Sequence, residues 1–431
     1  MGPSPYCLPL VRVHVVDPSA YTPPYDHALC SALAALDAEV DLFTSSFAYG
    51  AVPRADGYAR HEFFYRAAFG APAGRVRMAG KLLQHVPDML RYRFAAREAD
   101  VVHFQWLAVQ HLDAHLLPAR RTRAGRRRPL VITAHDVLPR EPRPGQLKAQ
   151  RRLYDRFDAI VVHSQHGRSR LVDELGVDGE RVHVIPHGVF AHLVPPGRDA
   201  PVRSPGLDTA GRSDAGSVGD TRARGEVQAR RGPHTQMGDS RARAYARAGH
   251  PLEHNTPVVL MFGLMRPYKG IDILLEAWRG VDGQAPIEDA QLWLVGMPKM
   301  DISPLQAKAP PNVRFESRFI PDSELPTYFE RADLVVLPYL QADQSGVLFC
   351  ALAFGKPLLL SDVGGFPELA TTGAARVVRA GDARALGQAL RELLADRATL
   401  AKMCVKARAA TTGRYSWAAI AAAHLELYRS L

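Results

Sequence analysis

Cysteine is scarce in this 431-residue chain: Cys7, Cys30, Cys350 and Cys404 stand far apart. Their spacing matches no zinc-ligand pattern and no dense disulfide framework, which excludes a cysteine-held metal domain and points to a reducing, cytoplasmic compartment. Long apolar runs are also missing. No stretch suffices to span a bilayer, and the opening MGPSPYCLPLVRVHVVD lacks the charged start and extended apolar core of a secretory signal. Zinc-finger, KH and RRM signatures are absent, so nucleic acid is not an expected partner despite the basic charge. Internal repeats and heptads are not evident.

What remains is a large globular chain. At 431 residues with 47% hydrophobic residues, two domains with separate cores are expected. Short, nearly continuous apolar runs alternate with helical patterns. In the first half the strands read Leu10–Val16, Val40–Phe43, Asp100–Phe104, Leu130–Thr133, Ala159–His163 and Val182–Ile185. Helices read over 26–36, 146–156 and 168–175. This alternation predicts parallel sheets covered on both faces. Residues 196–250 differ in kind. They are rich in Gly, Ser, Asp, Arg and Pro with almost no large apolar residues, and so predict a disordered inserted linker, with some helix near 240–248. The expected layout is a first domain over 1–195, the linker, a second domain over 251–415 and a closing helix over 416–431.

The net charge of +10 is unevenly spread. Six arginines crowd residues 120–128. A second group lies in KLLQHVPDMLRYRFAARE, residues 81–98, where Leu82, Leu83, Val86, Met89 and Leu90 recur at helical spacing and Arg91, Arg93 and Arg97 follow. Such a basic amphipathic helix fits either an anionic membrane surface or an ordinary helix packed on its own sheet.

The most informative stretch is VVLMFGLMRPYKG, residues 258–270. An apolar strand ends at Phe262-Gly263, a short loop carries Arg266 and Lys269, and Gly270 opens the helical IDILLEAW. Two cations near a helix N-terminus suit a diphosphate, because unpaired amides and the helix dipole favour anions there. Downstream, residues 333–369 parse as strand Asp333–Pro338, polar loop Tyr339–Ser345, helix Gly346–Phe354, strand Pro357–Ser361, a Gly364–Gly365 turn and a new helix near Pro367-Glu368. Ser345 stands where an N-cap is expected, and Gly346 permits close approach of a ligand to the backbone. A second helix N-terminus therefore lies at the carboxyl end of a strand, where open α/β sheets bind ligands.

The order Phe-Gly, Arg, Lys-Gly, leucine-rich helix, followed by strand, polar loop, Gly-Val-Leu helix, Gly-Lys-Pro strand and Asp-Val-Gly-Gly-x-Pro-Glu, resembles glycosyltransferase family 4. That resemblance covers most of 8–192 and 255–431. It implies the GT-B fold, two Rossmann-like domains facing across a cleft, and a retaining transfer of sugar from a nucleotide-diphosphate donor. It implies donor contacts from Gly263, Arg266, Lys269, Asp343, Gln344, Ser345, Gly346, Val347 and Leu348, with the cations acting in place of a metal and no cofactor besides the donor substrate. It further implies that the closing helix crosses back to the first domain. One departure is clear: of two glutamates usual in the family, the first falls on Asp343 and the second, which usually holds the donor ribose, on Ala351.

Three strand ends of the first half carry polar groups. In DPSAYTPPYDHAL, Tyr25 and Asp26 open a helix, and Asp26 reads as its cap or as an acceptor contact. In HFQWL, His103 and Trp106 face the cleft or fill the core. In TAHDV, the resemblance implies that His135 lies near the transferred sugar and that Asp136 orients the loop or bonds that histidine. The expected acceptor is a carbohydrate or lipid-linked hydroxyl, at the inner face of the plasma membrane when peripheral. Two other readings share the scaffold: a catalytically impaired sugar-nucleotide-binding protein, and a sugar-nucleotide epimerase.

Overall fold

The computed structural model describes residues 11–47, 52–67, 75–107, 109–122, 125–138, 144–195 and 256–431. The expected linker over 196–250 and its short helix lie outside the described residues.

The first sheet contains β1 (Arg12–Asp17), β2 (Glu39–Ser45), β3 (Ala59–Phe64), β4 (Val101–Phe104), β5 (Leu130–Thr133), β6 (Ala159–Val162) and β7 (Val182–Val184), in the spatial order β3-β2-β1-β4-β5-β6-β7. The second contains β8 (Val258–Phe262), β9 (Gln291–Val295), β10 (Val313–Glu316), β11 (Leu334–Leu337), β12 (Leu358–Ser361) and β13 (Ala375–Val378), ordered β10-β9-β8-β11-β12-β13. The pairings are parallel throughout both sheets, for example Val15 beside His103 and Val335 beside Leu260. Each sheet reverses its winding once, between β1 and β4 in the first lobe and between β8 and β11 in the second. At such a switch point neighbouring crossovers diverge and leave a crevice at the carboxyl ends of the strands.

Local chemistry accounts for the elements. Strand β11 is LVVL and every residue is buried, as a strand covered on both faces requires. The helix Ile271–Arg279 buries Ile271, Leu274, Leu275 and Trp278 on one stripe. Asp382 accepts from the Ala385 amide at 2.8 Å and starts the helix Ala383–Ala395, a cap worth about 1 kcal/mol. The last helix, Trp417–Ser430, leaves the second lobe and buries Ile420, Ala421, Leu425, Leu427 and Tyr428 in the first-lobe core with Leu29 and Leu33. His103, at the end of β4, meets the Tyr428 hydroxyl at 2.6 Å.

Several first-lobe elements differ from expectation, among them the first helix, which runs Pro23–Ala34, and an additional helix over Gln110–Leu116. Strand β3 was not expected; its half-exposed edge position gives it a weak apolar pattern. The basic helix begins earlier than position 81, running Arg75–Ala95 with a single 3-10 turn to Glu98. The segment 168–175 is an α-helix over Gln165–Ser169 and a π-helix over Arg170–Glu174. Its start is set by Ser164, whose hydroxyl accepts from the Gly167 amide at 3.0 Å.

Candidate active site

The second lobe's switch point holds a cavity of about 420 Å³. The segment after β8 supplies Phe262, Gly263 and Lys269; the segment after β11 supplies Tyr339, Gln344, Ser345, Gly346 and Val347. Pro24 reaches it from the first lobe, and Phe190 and Leu193 from the connecting segment.

Lys269 is 6% exposed, and its Nζ donates to the Tyr339 hydroxyl at 2.8 Å. That hydroxyl lies 3.4 Å from Ser345 Oγ. Gly263 has φ +107°, and a Cβ there would stand 3.0 Å from Lys269 Nζ and 3.2 Å from the Val347 side chain. The glycine therefore lets the ammonium and the start of the helix Gly346–Ala353 converge. Ser345 occupies the N-cap position, but its side chain makes no capping bond. The Leu348 amide is used by the Ser345 carbonyl at 3.1 Å, while Gly346 is exposed at the helix start. The buried amide oxygen of Gln344 has no partner among the described residues. A buried ammonium, helix-start amides and polar side chains thus surround one crevice, a suitable cradle for an oxyanion.

Gly263→Ala tests this convergence. The positive φ strains any side chain and the new methyl presses on Lys269, so stability should fall by about 1–3 kcal/mol. Thermal unfolding with and without nucleotide should show a lower Tm and a smaller ligand-induced rise. A variant matching the parent in both would remove Gly263 from the site.

The remaining expected donor residues separate. Arg266 is exposed and lies outside the cavity lining. Leu348 is 2% exposed and belongs to the second-lobe core. Asp343 does not line the cavity; it accepts from the Val137 amide at 3.2 Å and pairs with Arg170 at 2.9 Å, joining the lobes. Beside it, Glu368 accepts from the His166 amide at 3.1 Å. Ala351 is fully buried in the core, so a ribose contact from that position is absent.

In the first lobe, His135 has both ring nitrogens engaged. His163 Nδ1 lies 3.0 Å from the Ile185 carbonyl and must donate to it. His163 Nε2 is then an acceptor, for which His135 Nδ1, at 3.1 Å, is the donor. The remaining lone pair, on His135 Nε2, faces Gln105 Oε1 at 3.0 Å. An acceptor cannot satisfy it, so a neutral His135 requires the Gln105 amide to be turned end for end, which brings its nitrogen, without a partner among the described residues, into the donating position. Burial and the neighbouring histidines hold the His135 pKa well below its ordinary value. Its ring stacks on Trp106 at 5.0 Å. His135 is therefore a neutral, fixed ring. The expected bond from Asp136 to this histidine is not formed, because both nitrogens are taken, and Asp136 is exposed.

Tyr25 and Asp26 are each 1% exposed and turn into the first lobe. Tyr25 is wedged among the rings of His135, His187 and Trp417. Asp26 is not the cap of its helix, since Thr22 holds that position. Burial and the adjacent Asp17 push the Asp26 pKa well up; Asp17 accepts the Ser19, Tyr21 and Thr22 amides, so the proton of the pair resides on Asp26. His103 is fully buried between Tyr428 and Thr133. Of these four residues, Trp106 alone keeps part of its surface open, with Nε1 donating to Thr22 Oγ1 at 3.1 Å.

Tyr339, His163 and His187 were not singled out by sequence. A signal existed for each: Tyr339 follows a strand directly, and His163 and His187 end strands in the same way as His103 and His135. Among the described residues, no group of three or more His, Cys, Asp or Glu side chains is arranged to hold a metal ion.

Comparisons with known proteins place this geometry. Residues 25–191 match the family model described as Glycosyltransferase Family 4, and residues 256–396 match that of Glycosyl transferases group 1. The D-inositol 3-phosphate glycosyltransferase of Nocardia farcinica is 30% identical over 195 residues, 43% of either chain. The enzyme of the same name from Xylanimonas cellulosilytica is 26% identical over 93% of this chain and 89% of its own. Among solved structures, sucrose-phosphate synthase from Thermosynechococcus elongatus superposes with TM-score 0.66 at 19% identity, covering 97% of this chain and 98% of that one. HepE from Anabaena, in complex with UDP-glucose, gives TM-score 0.63 at 19% identity over 97% and 100%. With two doubly wound lobes, a crevice at the second switch point and both halves matched, the chain belongs to the family 4, group 1 glycosyltransferases and has the GT-B architecture.

Proposed function

We propose that this protein transfers a hexosyl group from a nucleoside-diphosphate sugar to a hydroxyl acceptor with retention of configuration. The observation that carries the reading is the convergence of Lys269, Gly263 and the start of the helix Gly346–Ala353 on one cavity. The HepE structure with UDP-glucose is consistent with that donor class. In the proposed reaction the bond between the anomeric carbon and the diphosphate breaks, and its electron pair leaves on the phosphate oxygen. The acceptor oxygen bonds the same face of the sugar, and its proton passes to the departing phosphate. Positive charge grows on the sugar ring and negative charge on the leaving group. A buried ammonium and fixed amides favour that leaving group most where water is excluded. No cation beyond those of the protein is required by this scheme.

The acceptor is proposed to be a lipid-linked or polysaccharide hydroxyl. Curated relatives include a GDP-mannose:glycolipid 4-beta-D-mannosyltransferase of Xanthomonas campestris, 31% identical over 105 residues. Among the described residues no helix is long and apolar enough to cross a membrane, and the protein is proposed to act at the cytoplasmic membrane surface through its basic first lobe.

The test is incubation with a panel of nucleotide sugars and candidate acceptors, with nucleotide release and the product anomer read by NMR. The expected result is nucleotide release with the donor's anomeric configuration kept in the product. Inverted product would overturn retention. Binding without release would leave the impaired-binder reading, and an altered free sugar nucleotide the epimerase reading.

A further inference from the structure

A second cavity, of about 360 Å³, lies far from the cleft in sequence and in the sheet. Arg93, Arg97, Arg121 and Arg128 line it together with Leu90 and Phe94. Residues 90–97 lead into β4 and Arg128 stands two residues before β5, so the cavity belongs to the amino edge of the first sheet. The cleft belongs to the carboxyl edges.

Among the described residues the charge here has no carboxylate partner. Arg128 is fully buried. Its Nη1 and Nη2 donate to the carbonyls of Ala96 and Ala119, and its Nε has no partner among the described residues. A buried charge without a counter-ion is strongly unfavourable. Among the described residues, none of the four cavity arginines pairs with a carboxylate: Arg121 donates to the Gly125 carbonyl at 3.0 Å, and Arg97 lies over the Phe94 ring at 4.5 Å. The neighbouring arginines behave differently. Arg120 and Arg127 both pair with Asp158, Arg126 pairs with Asp100, and Arg91 pairs with Asp88. The cations left unneutralised are therefore those that surround the cavity.

The apolar rim continues along the helix Arg75–Ala95. Leu83, Pro87, Leu90 and Phe94 are all exposed and recur at intervals of four, three and four residues, which puts them on one face. Leu83 is 80% and Phe94 63% exposed. Exposed Arg91 and Arg97 accompany this stripe. An outward apolar stripe with flanking cations is the pattern of a helix lying in a membrane interface, and clustered arginines recognise phosphate headgroups.

We propose that this arginine cavity receives the phosphate of an anionic phospholipid while Leu83, Leu90 and Phe94 enter the acyl boundary, docking the first lobe on the bilayer by its amino edge. The inference rests on the membrane-surface part of the proposed function and is independent of the donor site.

The full chain should be titrated with vesicles of phosphatidylcholine alone and of phosphatidylcholine with phosphatidylglycerol, reading co-sedimentation. Wild type should bind only the anionic vesicles. The double variant Arg97→Gln/Arg121→Gln should lose affinity about tenfold or more, while the charge-matched control Arg54→Gln/Arg126→Gln, outside the cavity, should stay within about twofold. Both variants should release nucleotide from donor and a soluble acceptor at the wild-type rate, which separates failure of this proposal from failure of the donor assignment. Equal losses in the two doubles would reduce the effect to general electrostatics and overturn the pocket. Absence of wild-type vesicle binding would also overturn it, as would a thermal shift with inorganic phosphate unaccompanied by vesicle binding, which would make the cavity a site for a soluble phosphate.

Discussion

Lys269→Ala should weaken binding of the donor's nucleoside diphosphate by about 2–4 kcal/mol, roughly 30- to 900-fold in Kd. The size follows from burial. An ammonium that is 6% exposed is screened little by water, and its removal leaves the diphosphate without its nearest fixed charge. Arg266→Ala should cost less than about 1 kcal/mol, because the guanidinium is exposed and outside the cavity lining. The contrast matters more than either value. Sequence presents Arg266 and Lys269 as an equivalent pair on one loop, whereas the turn Pro267–Lys269 separates them, one outward and one inward. Calorimetric titration of both variants decides the matter; equal effects would contradict the division of roles.

Acid should destabilise the protein steeply well above the carboxylate range. Burial holds His14, His163 and His424 at pKa values of about 4, against an ordinary value of about 6.5 in an unfolded chain. His103, His135 and His187 are likewise held well below it. The fold favours the neutral rings. Their contribution is complete above about pH 6.5 and is lost as the pH falls through about 4. Within that window each histidine contributes a slope of about 1.4 kcal/mol per pH unit. Several such rings acting together amount to roughly 5–10 kcal/mol across the window, comparable with the whole stability of a typical domain. Urea denaturation at pH 7.5, 6 and 5 should show a falling midpoint, with the first lobe lost before pH 4. A midpoint unchanged between pH 7.5 and 5 would contradict the neutral histidine layer.

The same histidines mark the limit of what the sequence discloses. Strand and helix alternation was legible because period and composition are local, and the second-lobe corner was legible because Gly263, Lys269, Ser345 and Gly346 each follow a strand within a few residues. The direction of a side chain in a turn is not local. Arg266 and Asp343 carry the expected chemistry, yet one faces outward and the other is drawn into a bridge with Arg170 and Val137 across the lobes. For Asp26 and His103 the sequence leaves a cleft-facing reading open beside a capping or core one, because both stand near strand ends; contacts hundreds of residues away, such as His103 with Tyr428, decide for the core. The neutral state of His135 depends on a hydrogen-bond chain through His163 to the accepting carbonyl of Ile185 that spacing alone cannot reveal.

A crystal structure of the full chain with the nucleoside diphosphate of its donor would test the central claim most directly. The diphosphate should lie within hydrogen-bond distance of Lys269 Nζ and of the Gly346 and Val347 amides, with the nucleoside extending along the crevice beside Phe262 and Tyr339. A diphosphate bound elsewhere, with Lys269 still turned to Tyr339 and the helix start open to water, would contradict it.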